Sequence, residues 1–187
     1  MTKPVVYVSF DVETTALSPA TGQLLEIGAV AIRPNGDLVS QYYVALHQDE
    51  LKGDQDILNF LEKSGVLKRW RSANKLQLET GMTKLLNYLS NLEQNYKVVR
   101  VAWPSSFDWG WILYHIDLYG LKLKRPHSCE CASSLFFVLS KANKDTVEAR
   151  AAEHLKRQRD QIPGDDHHPV YDAAKQGFKF ACTKDLF

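Results

Sequence analysis

The first apolar run of the chain, Val5-Val6-Tyr7-Val8-Ser9-Phe10-Asp11-Val12, is rich in β-branched and aromatic residues and predicts a strand. Leu24 to Ile32 predicts a second strand and Val39 to Leu46 a third, with Pro34-Asn35-Gly36-Asp37 as the turn between them. Thr15 to Gln23, with its Ser-Pro and Gly content, reads as a loop. Three strands joined by short connections predict an antiparallel meander.

The period then changes. Met82, Leu85, Leu86, Leu89 and Leu92 recur at three- and four-residue spacing, which gives a helix one apolar face. Val98 to Trp103 predicts a fourth strand, and because it follows a helix it is expected to run parallel to the first. Trp109, Ile112, Leu113 and Ile116 mark the next helix, with Gly120 placed to end it. Asp145-Thr146-Val147-Glu148 has the form of a capping box and predicts a helix to about Arg159. Pro163-Gly164-Asp165-Asp166 reads as a loop, and a last helix is expected from about Tyr171 to Cys182. Strands first, then alternating helix and strand, predict an α/β sheet covered by helices. No internal repeat or low-complexity linker interrupts the 187 residues, so one domain spanning 1–187 is expected.

Composition changes this picture little. Hydrophobic residues make up 44% and charged residues 24%, ordinary for a soluble globular chain. No apolar run approaches the roughly 18–20 residues of a membrane helix. Met1-Thr2-Lys3-Pro4 leads directly into a strand, so no signal peptide is visible and an intracellular, cytoplasmic location without membrane partners is expected. The formal net charge of +1 argues against a protein that coats nucleic acid along its length, yet leaves room for an enzyme with local basic clusters. The candidates are Lys68-Arg69-Trp70-Arg71, Lys122-Leu123-Lys124-Arg125 and Lys156-Arg157-Gln158-Arg159, each of which also reads as a solvated surface. Three cysteines, Cys129, Cys131 and Cys182, argue against a disulfide framework. His127-Ser128-Cys129-Glu130-Cys131 lacks the second ligand pair that structural zinc usually needs, and reads as a strand or its edge.

The acidic positions carry the chemistry. Asp11 and Glu13 sit two apart at the end of a strand, so both carboxylates share one face while Val12 points into the core. Such a pair repels itself unless a cation lies between, and Mg²⁺ is a hard cation that prefers oxygen ligands. Asp108 follows the fourth strand at a helix start, where free N–H groups favour a carboxylate. Asp172 opens the last helix, and His167 lies five residues before it in a polar loop, where an imidazole can take a proton from water. Each alone has an ordinary explanation: a solvated strand end, a helix cap, a surface loop. Together they supply four carboxylates and an imidazole, the inventory of two-metal phosphodiester hydrolysis.

The pattern resembles the DEDDh exonucleases of the ribonuclease H-like fold. Asp11-Val12-Glu13-Thr14-Thr15 is similar to their first motif, and Leu24-Leu25-Glu26-Ile27-Gly28-Ala29-Val30 to the strand that follows it. Phe107-Asp108 matches the second motif, and His167-His168-Pro169-Val170-Tyr171-Asp172-Ala173 the third. The resemblance runs from about Val5 to Phe180. Ala16 stands where a Gly often follows the two threonines, Pro169 replaces a small residue, and Ser105-Ser106 stand where an Asn is common before Phe-Asp. The resemblance implies a mixed sheet flanked by helices, and release of nucleoside 5′-monophosphates from 3′ ends of single-stranded RNA or DNA. It also implies two Mg²⁺ ions, replaceable by Mn²⁺, held by Asp11, Glu13, Asp108 and Asp172. His167 would be the general base, and Thr14 and Leu17 would meet the terminal nucleotide. Two other readings are an inactive nucleic-acid-binding module of the same fold and a phosphodiesterase acting on dinucleotides or short oligonucleotides.

Overall fold

The computed structural model describes residues 2–124, 127–139 and 143–186. Strands β1 (Val5–Thr14), β2 (Leu24–Ile32) and β3 (Leu38–Leu46) form the expected antiparallel meander. Two short helices follow, α1 (Gln55–Lys63) and α2 (Val66–Ser72), then a two-residue strand β4 (Lys75–Leu76). The long helix α3 (Leu78–Asn95) leads into β5 (Lys97–Ala102), which pairs parallel to β1 as expected. Helix α4 (Asp108–Leu118), the edge strand β6 (Glu130–Cys131), and helices α5 (Ala132–Leu139), α6 (Lys144–Arg157) and α7 (Pro169–Lys184) complete the chain. The sheet order is β4-β3-β2-β1-β5-β6, with β1 central.

Strand alternation decides which helices cover which face. Val6, Val8, Phe10 and Val12 of β1 join Met82, Leu85 and Leu89 of α3 and Trp109 and Ile112 of α4 in one core. The intervening residues, Ser9, Asp11 and Glu13, therefore face α7. Val30 and Ile32 of β2 meet Val170, Ala173, Ala174 and Phe178 of α7 in a second core. Burying a side chain such as Phe10 or Phe178 completely is worth roughly 1.5–3 kcal/mol.

Two glycines let α7 lie directly on the sheet. A Cβ at Gly177 would stand 2.7 Å from Ile32 Cδ1 and 3.0 Å from Ser9 Cβ. A Cβ at Gly28 would stand 2.2 Å from the carbonyl carbon of Pro169. Gly28 is the cross-strand partner of Asp11, so this close approach docks the start of α7 beside the acidic end of β1.

Several expectations need correction. The helix after residue 143 is capped by Asn143 without a side-chain bond, so Asp145-Thr146-Val147-Glu148 lies inside its first turns and forms no capping box. It ends at Arg157, and a 3₁₀ turn takes over from Arg159 to Gln161. The last helix begins at Pro169, two residues earlier than expected, because proline is accepted at the first helical position. Helices α1 and α2 are too short to show an apolar period, although Asp54 is a good cap signal and accepts from the N–H groups of Asp56 and Ile57.

The expected basic clusters are largely structural. Trp70 is buried and donates to the Leu46 carbonyl at 2.8 Å, and Arg71 pairs with Glu62 at 2.8 Å. Gln158 is buried, donates to Gly36 O and accepts from Leu38 N, while Arg157 pairs with Asp37. Lys122 and Lys124 are exposed, and Arg125 lies outside the described residues.

Candidate active site

The site is built at the carboxyl end of β1. Between Glu13 and Thr14 the β1–β2 register slips, so Glu13 pairs with Glu26 but Thr14 with Leu24. A bulge of this kind bends the strand and ends pairing. Thr15, fully buried, then fixes the departing loop: its hydroxyl donates to Lys52 O, its N–H to Gln23 O, and its carbonyl accepts from Asp54 N. Beyond this anchor Leu17 projects into solvent at 78% exposure. Thr14 is turned inward, its hydroxyl donating to Ala16 O at 2.9 Å.

The expected carboxylates converge from three elements: Asp11 and Glu13 from β1, Asp108 from the first turn of α4, and Asp172 from the first turn of α7. Asp108 is buried, and its Oδ1 accepts from Val12 N at 3.2 Å. Gln176, one turn beyond Asp172 on α7, donates to Asp11 Oδ1 at 2.8 Å. Burial, and then the charges of Asp108, Glu13 and Asp172, raise the Asp11 pKa well above the usual carboxylate range, against the Gln176 bond. Glu13 is pushed up to about 8 by burial and the neighbouring Glu26 charge, with Arg69 opposing. Burial lifts Asp108 to about 7, against the backbone amides of Val12, Asp108 and Trp103. Asp172 is raised by burial, opposed by the His167 amide and by Lys175.

Among the described residues no group of three or more His, Cys, Asp or Glu side chains is spaced to hold a metal ion as these rotamers stand. The donor chemistry nevertheless fits a hard divalent cation. All the convergent donors are oxygens; burial first, and then neighbouring carboxylates, raise the Asp11 and Glu13 pKa values. Asp108 Oδ2 and Gln176 Oε1 are buried with no hydrogen-bond partner. Buried polar atoms are normally bonded, so these two oxygens are acceptors open to a cation or a water.

The two histidines separate. His167 adopts a left-handed backbone with φ 66°, unusual for a residue with a side chain. Two bonds hold it there: its N–H donates to Asp172 Oδ2 at 2.8 Å, and its carbonyl accepts from Arg69 Nη2 at 2.7 Å. Its ring meets Phe60 of α1 edge-on at 5.2 Å. His168 is the cap of α7, its Nδ1 accepting from Val170 N at 3.3 Å, and its ring lies 5.2 Å from that of Tyr43. Burial and the Arg69 charge lower the His168 pKa to about 4.

Sequence reasoning missed the support behind this loop. Arg69 of α2 forks onto the fully buried Glu26 at 2.5 and 3.1 Å, and Tyr43 OH donates to Glu26 Oε1 at 2.6 Å. The same guanidinium lies 3.9 Å from Glu13. A buried glutamate in the middle of an apolar strand was the signal that a cation had to come from elsewhere. Gln176 was also missed, although its position four residues after Asp172 places it on the same helix face.

The His127–Cys131 stretch takes the expected place at a sheet edge: Glu130–Cys131 is β6, and both cysteines are free. Cys131 Sγ meets the hydroxyls of Ser133 and Ser134 at 3.2 Å each.

No family model matches the chain, and no curated protein sequence matches it. Its fold is similar to that of S. pombe Pop2p, solved with Mg²⁺ and Mn²⁺ bound, with a TM-score of 0.64 and 13% identity over 96% of this chain and 82% of that one. It is also similar to cell-death related nuclease 4 (CRN-4), with a TM-score of 0.66 and 12% identity over 98% of this chain and 65% of that one. At such identities the likeness is one of fold, and the fold is the ribonuclease H-like one expected from the sequence.

Proposed function

We propose that this chain is a metal-dependent 3′→5′ exonuclease that releases nucleoside 5′-monophosphates from single-stranded RNA or DNA. One observation carries the reading. Asp11, Glu13, Asp108 and Asp172 are gathered with too little positive charge to balance them, beside a histidine held in a strained backbone. The name of CRN-4 and the Mg²⁺ and Mn²⁺ bound to Pop2p agree with it.

In this reading Asp11, Glu13, Asp108 and Asp172 hold two Mg²⁺ ions, for which Mn²⁺ can substitute. When bound, the ions supply a lowered pKa for water and a counter-charge for the phosphate. His167 takes the proton of the attacking water. A water O–P bond forms and the P–O3′ bond breaks, so the phosphate leaves with the terminal nucleoside and the 3′ oxygen stays with the shortened strand. Asp172 and Arg69 fix the backbone on both sides of His167. Thr14 and Leu17 border the cleft that takes the terminal nucleoside, with Phe60 opposite.

The test is a 5′-labelled single strand incubated with Mg²⁺ and with EDTA. A ladder shortening one nucleotide at a time, in Mg²⁺ only, is the expected result. Circular single strands should survive, and their cleavage would show endonuclease action. His167→Ala should lower kcat by about 10²–10⁴-fold, the usual worth of a general base, with metal affinity kept.

A further inference from the structure

Two hollows flank the carboxylates, and they differ in charge. One, of about 230 Å³, is lined by Glu13, Leu17, Ile57, Phe60 and Phe107 among others, and no lysine or arginine stands among its described lining residues. The other, of about 250 Å³, is lined by Asp11, Trp103, Asp172, Lys175, Gln176 and Lys179. Asp172, Lys175, Gln176 and Lys179 form one stripe of α7, at spacings of three, four and seven, so both lysines line the same hollow as Asp172. Lys175 is held by Asp166 at 2.6 Å and Asp172 at 3.6 Å, and Lys179 by Glu148 at 3.6 Å. All of these side chains reach solvent, and exposed pairs of this kind are weak, so a phosphate can compete for either lysine. Trp103 closes the far wall, with Lys179 Nζ 5.5 Å from its ring.

We infer that the Trp103–Lys175–Lys179 hollow binds the nucleotide on the 5′ side of the scissile phosphate and takes that nucleotide's own 5′-phosphate between the two lysines. The inference rests on the exonuclease reading and fixes the direction of the strand. A 3′-terminal nucleoside carries no phosphate beyond its sugar, so it suits the apolar cleft beside Leu17 and Phe60. The strand continues only on the other side, with one anion per nucleotide, and that is the side with the ammonium groups. The reverse orientation would run a polyanion past Glu13, where the nearby guanidinium of Arg69 is already forked onto Glu26.

The test compares two dinucleotides, in ribo and deoxyribo forms, that differ only in a 5′-phosphate. The wild type should prefer the phosphorylated one by roughly tenfold in kcat/KM, in line with one or two charge-assisted contacts. Lys179→Gln and Lys175→Gln should each reduce that ratio, and Lys179→Arg should keep it. Any general loss of activity cancels in the ratio. A wild-type ratio near one, or a ratio unmoved in both glutamine variants, overturns the inference while leaving the exonuclease reading intact. If neither dinucleotide is hydrolysed, the exonuclease reading is decided separately by the 5′-labelled single strand. The hollow is then judged by calorimetric binding of the same two dinucleotides to wild type and Lys179→Gln, where equal affinities would overturn it.

Discussion

Glu13 and Glu26 are cross-strand partners on β1 and β2, on the same side of the sheet, and the protein treats them in opposite ways. Glu26 is fully buried and saturated by the Arg69 fork and the Tyr43 hydroxyl. Glu13 lies 3.9 Å from the same guanidinium, and burial with the Glu26 charge pushes its pKa up to about 8. One glutamate is a structural ion whose partners come from α2 and β3. The other belongs to a group left short of positive charge. Burial alone does not distinguish the two carboxylates; the strength of the built-in counter-charge does.

The sharpest test of this contrast is Glu13→Gln. Removing one carboxylate from a site that is short of cations should cost activity on the order of 10³-fold or more, since each lost 1.4 kcal/mol of transition-state stabilisation is tenfold. In EDTA above about pH 8, where Glu13 is ionised, the same change should raise the melting temperature, because it removes a buried charge held near like charges. Lower thermal stability in EDTA together with near-normal turnover would mean that Glu13, like Glu26, is structural.

The opposite pattern is expected at Arg69→Met. Breaking a buried pair on one side leaves Glu26 without its cation, which typically costs about 3–5 kcal/mol. The loss should appear in denaturant unfolding with or without Mg²⁺. Pairing it with Glu26→Gln should recover much of the stability. His167 should stay loosened in the double variant, seen as faster amide exchange in residues 164–168. Slow exchange there would show that the Arg69–carbonyl bond does not hold the loop.

How much of this was legible beforehand follows from where the interactions run. The meander, the parallel β5 and the acidic residues were readable, because period and local chemistry write them into short windows: Val5–Val12, Leu24–Ile32, Phe107-Asp108. The helices α1 and α2 were not, since 9 and 7 residues give too few turns for a period to show. The Arg69–Glu26 pair spans 43 residues, and Gln176–Asp11 spans 165; no local pattern encodes either. Two of the three basic stretches are tied into the fold by partners invisible in the stretch itself, because those of Arg69, Arg71 and Arg157 lie elsewhere in the sequence.

A smaller effect should appear in the pH dependence of stability without metal. Glu13 and Asp108 have folded pKa values of about 8 and about 7, against roughly 4 for unfolded carboxyls. The folded state therefore holds protons that the unfolded chain has lost, and the stability this confers is complete below the unfolded pKa and disappears as pH rises through 7 to 8. His168, lowered to about 4, works in the other direction but only up to its unfolded value near 6.5. Between about pH 6.5 and 8.5 the melting temperature in EDTA should thus fall. Mg²⁺ needs the ionised carboxylates, so its stabilisation should be larger at pH 8.5 than at 6.5. A melting temperature that rises over this window in EDTA would contradict the assignment of uncompensated charge to Glu13.

The smallest effect is expected at His168, and it separates the two neighbouring histidines by kind. Its Nδ1 caps α7 through Val170 N and its ring lies against Tyr43, the residue that donates to Glu26. It therefore belongs to the compensated region, with Glu26 and Arg69, and not to the site that His167 borders. Losing a side-chain cap typically costs about 0.5–2 kcal/mol. His168→Ala should lower stability by that amount and change kcat by less than about tenfold, measured at saturating Mg²⁺ below the variant's melting range. His168→Asn, which can accept the same N–H bond, should restore most of the stability. Pro169 strengthens the expectation, since it disfavours a helical backbone at the residue before it and keeps His168 in the extended cap conformation, φ −99° and ψ 122°. A loss in kcat at His168→Ala larger than at His167→Ala, with the fold intact, would move the proton-accepting role proposed for His167 to His168 and with it the boundary between the two regions.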